Sequence, residues 1–120
     1  MKLMPQEIEI WYIIPALRRE LAKSMIANFK LTQKEVSQIL GITESAVSQY
    51  LKAKRANELK FSEKELEEIR KTTKKIILDK DNCNKYVYEL TTRFRGTDNI
   101  CKLHRKYDKT LSCDCKICVE

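Results

Sequence analysis

The stretch Leu31–Lys52, LTQKEVSQILGITESAVSQYLK, decides how this chain folds, because its caps, glycine and apolar spacing describe two short helices meeting at a sharp turn. Thr32 can accept a hydrogen bond from a first-turn backbone N–H while Glu35, three residues on, reaches back, so T-x-x-E is a capping box, with Leu31 and Val36 at the staple positions around it. A helix is therefore expected from about Gln33, with Val36, Ile39 and Leu40 as its buried stripe. Gly41 follows where a left-handed C-terminal residue needs to lack a Cβ. Thr43 then caps a second helix, with Ile42 and Val47 as its staple and Val47, Tyr50 and Leu51 on one face.

The other face of this second helix carries Glu44, Ser45, Ser48, Gln49 and Lys52. The row is polar, short-chained and weakly charged, which suits contacts with base edges. Serine and glutamine offer donors and acceptors, and glutamine can pair bidentately with adenine. Two amphipathic helices with a glycine between them also occur in small helical proteins with no nucleic-acid partner. Two staples, a capping box, the glycine and a polar outer face coinciding in one window favour a DNA-binding helix-turn-helix. RNA binding would more often expose aromatics for base stacking, and here Tyr50 is spaced as a core residue.

The run SQILGITESAVSQYLKAKRA, preceded by LTQKE and further upstream by PALRRELAKSM, resembles the lambda-repressor-like (XRE-type) helix-turn-helix, in particular the small archaeal transcriptional regulators. The resemblance covers the first half of the chain, and the second half only through its cysteine-rich ending. It implies an all-α fold: a lambda-repressor-like helical bundle in which the helix matching Glu44–Lys52 enters the major groove and the residue matching Gln33 touches a phosphate. Ser37 departs from the pattern, which commonly has alanine against the turn glycine.

The 120 residues carry a net charge of +7. It divides as +4 over residues 1–60 and +3 over 61–120, so charge as a whole says little about nucleic acid. Locally, Lys52, Lys54, Arg55 and Lys60 follow the second helix with only Glu58 interrupting, and could run along phosphates. No segment reads as a signal peptide, since Glu7 and Glu9 interrupt the N-terminus before IWYII. No window approaches the ~20 apolar residues of a membrane span. A cytoplasmic protein is expected.

Ile8, Ile10, Trp11, Ile13 and Ile14 read as too apolar to be left in water. Pro15 suits the first turn of a helix continuing through Phe29, with Leu17, Leu21, Met25, Ile26 and Phe29 inward. Trp11 and Tyr12 suit either core packing or a dimer contact. After the two-helix motif, Ser62 with Glu65 forms another capping box, with Phe61 and Leu66 as staple, so a helix is expected over Glu63–Leu78. Its stripe of Leu66, Ile69, Ile76 and Ile77 is interrupted by the polar RKTTKK, which suggests a linker or dimerisation helix. A homodimer is expected, because two recognition helices must be spaced by about one DNA turn, ~34 Å. The organisation is then a DNA-binding unit over residues 1–60, a linker or dimerisation helix over 61–80, and a cysteine-rich region over 81–120.

All five cysteines and the single histidine fall within residues 83–120. Cys83 precedes a helix expected over Asn84–Arg95 and ending at Gly96; Cys101, His104, Cys113, Cys115 and Cys118 follow. In a cytosolic chain such clustering favours metal over disulfides. One reading pairs Cys101 with His104 and Cys115 with Cys118 as a tetrahedral structural zinc site. The other takes four thiolates for an iron–sulfur cluster, Cys101, Cys115 and Cys118 with Cys83, or with Cys113 in place of Cys83. The surplus of sulfur and the fusion to a DNA reader favour the cluster, with Cys83 as fourth ligand, as a redox or iron sensor. The tail ICKLHR…CDCKIC also resembles the cysteine-rich tails of the archaeal regulators, although Tyr86 stands where a C-x-x-C partner of Cys83 would be.

An enzyme is the remaining class. Cys115 and Cys118 form a C-x-x-C, but no alternating strand and helix pattern surrounds them to make a thiol redox enzyme. Nor is there a glycine-rich phosphate loop or a paired-carboxylate site, so no catalytic function is expected. Anaerobically purified protein is expected to be brown, with iron and acid-labile sulfide by analysis; colourless protein with about one zinc per chain would select the Cys101/His104/Cys115/Cys118 site instead.

Overall fold

The computed structural model describes residues 4–52, 61–94 and 101–102. Among them every regular element is helical: α1 (Pro5–Ile8), a π-helical turn (Glu9–Ile13), α2 (Ile14–Phe29), α3 (Gln33–Leu40), α4 (Glu44–Leu51), α5 (Glu63–Leu78), a 3₁₀ turn (Lys80–Asn82) and α6 (Cys83–Phe94). The all-α class expected from the sequence is thus observed. None of these helices is long and apolar enough to cross a membrane.

The fold is organised around α2. Ala16, Leu17, Leu21, Ala22 and Met25 are fully buried, and α3, α4, α5 and α6 all pack against this helix. Two alanines on a mostly buried helix let neighbouring backbones come close, while the long side chains fill the space between them. The helix has Pro15 in its first turn and runs to Phe29, as expected. Pro15, which has no N–H and whose ring crowds the carbonyl four residues back, follows a widened π-turn that leads the chain into α2. Ile13 is buried, but Ile10 and Trp11 are 61% and 48% exposed, so the expectation that the whole apolar N-terminal run is sheltered does not hold. The widened turn changes the helical phase, so residues on either side of it cannot all face one core. At its other end, α2 stops at Lys30, which takes the left-handed conformation at φ 55° and lies outside the helix.

α5 begins and ends at the residues expected. Ser62 Oγ accepts from the Glu65 N–H (3.3 Å) and Glu65 Oε1 accepts from the Ser62 N–H (2.8 Å). The interrupted stripe is where the structure departs from the sequence reading. Thr72 and Thr73 are buried and bridge Ile69 and Ile76. Thr73 Oγ1 donates to the Ile69 carbonyl at 2.7 Å, so its hydroxyl is satisfied within the helix and its methyl group is free to pack. α5 therefore lies in the core against α2 rather than standing off as a linker.

α6 joins the same core through Cys83, Leu90 and Phe94. It starts at Cys83 itself, one residue earlier than expected, and the expected stop at Gly96 lies outside the described residues. The corner between α5 and α6 is held by Asp79, which accepts from Asn82 Nδ2 (2.9 and 3.1 Å) and from the Tyr86 hydroxyl (3.1 Å). At the far ends of the two helices the rings of Phe61 and Phe94 meet at 5.5 Å between centroids, and Arg93 pairs with Glu68. One apolar cluster thus runs from Ile13 to Phe94 across both boundaries drawn from the sequence, at 60/61 and 80/81.

Ile76 is fully buried where α5 meets this cluster. Ile76→Ala is expected to lower unfolding free energy by about 3 kcal/mol in urea titrations followed by circular dichroism, while Thr73→Val costs no more than about 1 kcal/mol. A loss below about 1 kcal/mol for Ile76→Ala would mean that α5 does not belong to the core.

Candidate nucleic-acid interface

The local chemistry anticipated for residues 31–52 is present bond by bond. Thr32 Oγ1 accepts from the Glu35 N–H at 3.1 Å, and Glu35 Oε1 accepts from the Thr32 N–H at 3.1 Å and from its hydroxyl at 3.1 Å. These bonds from Thr32, backbone first and hydroxyl second, hold the Glu35 carboxyl below its ordinary pKa. A depressed folded-state value means that the capping contribution is in place above the ordinary carboxylate range and is lost as pH falls from that range through the lower folded-state value. Gly41 closes α3 at φ 69° and ψ 34°, and the Ile42 N–H returns to the Ser37 carbonyl at 3.1 Å. A Cβ on Gly41 would meet nothing within 4 Å, so glycine is required by the backbone angle and not by lack of space. After the turn, Thr43 Oγ1 accepts from the Ala46 N–H at 3.0 Å and starts α4.

Ser37 shows how the chain accommodates its departure from the small apolar residue expected there. It is buried, and its hydroxyl donates to the Lys34 carbonyl at 2.7 Å, so no polar group is left unsatisfied beneath the turn.

The buried faces fall where the spacing placed them, with Val36 and Leu40 on α3 and Val47 and Tyr50 on α4 in the core, and Ile39 and Leu51 half-buried beside them. Ala46 is also buried, a position that the sequence reading left unassigned. On the outer side of α4, Glu44, Ser45 and Lys52 are exposed and Ser48 and Gln49 are half-buried. Gln33 is exposed at the first position of α3. The structure therefore brings four of the expected contact residues onto α4, with Lys52 at its C-cap. Lys54, Arg55 and Lys60 lie outside the described residues.

The face is close to electrically neutral. Lys34 and Lys52 are balanced by Glu35 and Glu44 across residues 31–52. Such a surface can discriminate among hydrogen-bonding partners, while long-range attraction to a polyanion must come from other parts of the chain.

The cysteines present a different picture. Cys83 is 5% exposed among the apolar side chains of the core. Burial pushes its thiol pKa up, against a smaller opposing influence from Arg18. That shift describes Cys83 with no ion beside it, since a metal ion itself lowers the pKa of a thiol that coordinates it. Cys101 is half-buried. Among the described residues no group of three or more histidine, cysteine or carboxylate side chains is arranged to hold a metal. His104, Cys113, Cys115 and Cys118 lie outside the described residues.

No family model, curated protein or solved structure matches this chain.

Because Gly41 occupies open space at positive φ, Gly41→Ala is expected to destabilise the protein by about 1 kcal/mol in denaturant titrations, and Gly41→Asn by less, since asparagine tolerates the left-handed region. Equal losses for alanine and asparagine would show that something other than the backbone angle is being read.

Proposed function

We propose that this protein is a sequence-specific DNA-binding regulator whose α3–turn–α4 segment acts as a helix-turn-helix of the lambda-repressor-like (XRE) type, with α4 as the recognition helix. The observation that carries the reading is the outer face of α4. Ala46, Val47 and Tyr50 are buried, and Glu44, Ser45, Ser48 and Gln49, with Lys52 at the C-cap, form a polar row on a helix held by a cap at its start and by Val47 and Tyr50 beneath. A rigid helix with short hydrogen-bonding side chains is what direct readout in the major groove requires. Gln33, and Lys54 and Arg55 beyond α4, are the residues proposed to contact phosphates. The protein acts as a homodimer on two half-sites, because one eight-residue helix reads too few base pairs to select a site in a genome.

The C-terminal cysteines are proposed to hold an iron–sulfur cluster that reports redox or iron state to the DNA-binding unit, with a structural zinc site as the second reading. Cys101, Cys115 and Cys118 supply three of its sulfurs, with Cys83 as the fourth or Cys113 in its place. When bound, such a cluster would supply an oxidation-sensitive cross-link between the end of the helical core and the tail.

Selection from a pool of random duplexes is expected to enrich one motif with two half-sites about one helical turn apart. Gln49→Ala and Ser45→Ala are then each expected to cost about 1 to 3 kcal/mol at one base position while leaving the salt dependence of binding unchanged. A pool that yields no motif would overturn the regulator reading. Equal affinity of metal-loaded and metal-free protein for the selected site, at fixed salt, would overturn the sensor and leave a structural metal.

A further inference from the structure

The two halves of α5 differ in charge. Residues 63–68 hold four carboxylates and one lysine, whereas residues 70–75 hold four cations and no carboxylate. Because Thr72 and Thr73 are turned into the core, Arg70, Lys71, Lys74 and Lys75 all stand on the solvent side. This places Arg70 and Lys74, and likewise Lys71 and Lys75, four residues apart, a spacing at which like charges repel along a helix.

Neighbouring carboxylates do not relieve the three lysines. Glu67, four residues before Lys71, lies 3.9 Å from Arg70. Glu68, three residues before Lys71, is paired with Arg93 on α6. Asp79, four residues after Lys75, accepts from Asn82 and Tyr86. Lys74 has only Arg70 and Lys71 behind it and Ile77 and Leu78 ahead at these spacings. Among the described residues none of the three lysines makes an ion pair. The helix dipole favours cations only in the last turn, which accounts for Lys75 and not for Lys71 or Arg70. A face kept only for solubility would be expected to mix both signs.

We infer that the exposed face of α5 formed by Arg70, Lys71, Lys74 and Lys75 is a second, sequence-independent contact surface for the phosphate backbone of duplex nucleic acid. The patch spans about 8 Å of helix, and duplex DNA carries one charge per ~1.7 Å of axis, so several phosphates fall within its reach. It supplies the attraction that the neutral α4 face lacks. Its lysines are mobile point charges that can follow a backbone without fixing a register. The inference does not depend on α4 reading bases.

The test uses the full chain and a fluorescent 20-base-pair duplex of arbitrary sequence, with binding followed by anisotropy across a series of KCl concentrations. The triple variant Lys71→Gln/Lys74→Gln/Lys75→Gln, checked for unchanged helix content, is expected to lose at least tenfold in affinity at low salt. Its slope of log affinity against log salt should fall by about 2 to 3, near 0.9 for each phosphate contact removed. The triple Lys→Arg variant is expected to keep both. Wild-type affinity and slope in the glutamine triple would overturn the inference. So would tighter binding of the wild type to phosphatidylglycerol vesicles than to the duplex, lost in the same triple. If α4 does not read sequence, Ser45→Ala and Gln49→Ala will leave base preference unchanged while the α5 result stands, so the two readings fail separately.

Discussion

The described fold depends on the burial of α2. Helices of eight residues are not stable alone in water, because the cost of fixing the first turn is not recovered over so few hydrogen bonds. α3 and α4 are each of that length and persist because Val36, Leu40, Val47 and Tyr50 are covered by the rest of the core. α5 and α6 bury Ile69, Ile76 and Leu90 in the same cluster. The polar outer row of α4 is therefore rigid for a reason that lies beneath it, and loosening α2 would disturb the whole candidate interface.

Local hydrogen bonding sets where each helix begins, and burial decides which way it faces. Thr32, Thr43 and Ser62 each accept a backbone N–H three residues on, and Gly41 stores the change of direction in a positive φ. These groups act over three or four residues and need no distant partner. The same economy appears where polar residues enter the core. Ser37, Thr73 and Thr91 all return their hydroxyls to carbonyls of their own helix, which leaves carbon surface to pack.

In the function proposed here, selectivity and attraction come from different surfaces. Across residues 31–52 the charges cancel, whereas residues 70–75 of α5 carry four exposed cations and no carboxylate. Hydrogen-bonding readout works at contact distance and gains little from net charge, whereas phosphate attraction acts over about a Debye length, ~8 to 10 Å, and tolerates imprecise placement. Separating the two allows each to change without the other. Cys83 illustrates a related separation: one of five similar sulfurs packs as a small apolar side chain in the core.

The sequence by itself determined what is decided within one helical turn. The all-α class, the starts of α3, α4 and α5, the turn at Gly41 and the polar row of α4 were legible, because capping boxes, staples and helical spacing are short-range signals. Four features were not. Thr72 and Thr73 complete the α5 stripe although both are polar; Ile10 and Trp11 meet solvent although both are apolar; Cys83 lies in the core although it groups with the other cysteines in the sequence; and Ala46 faces inward from a helix read mainly by its polar side. Each depends on which helix lies opposite, a matter of contacts between residues far apart in the chain. Only the tertiary structure decided those, because the free energy of burial belongs to the pair of surfaces that meet and is not written in either one alone.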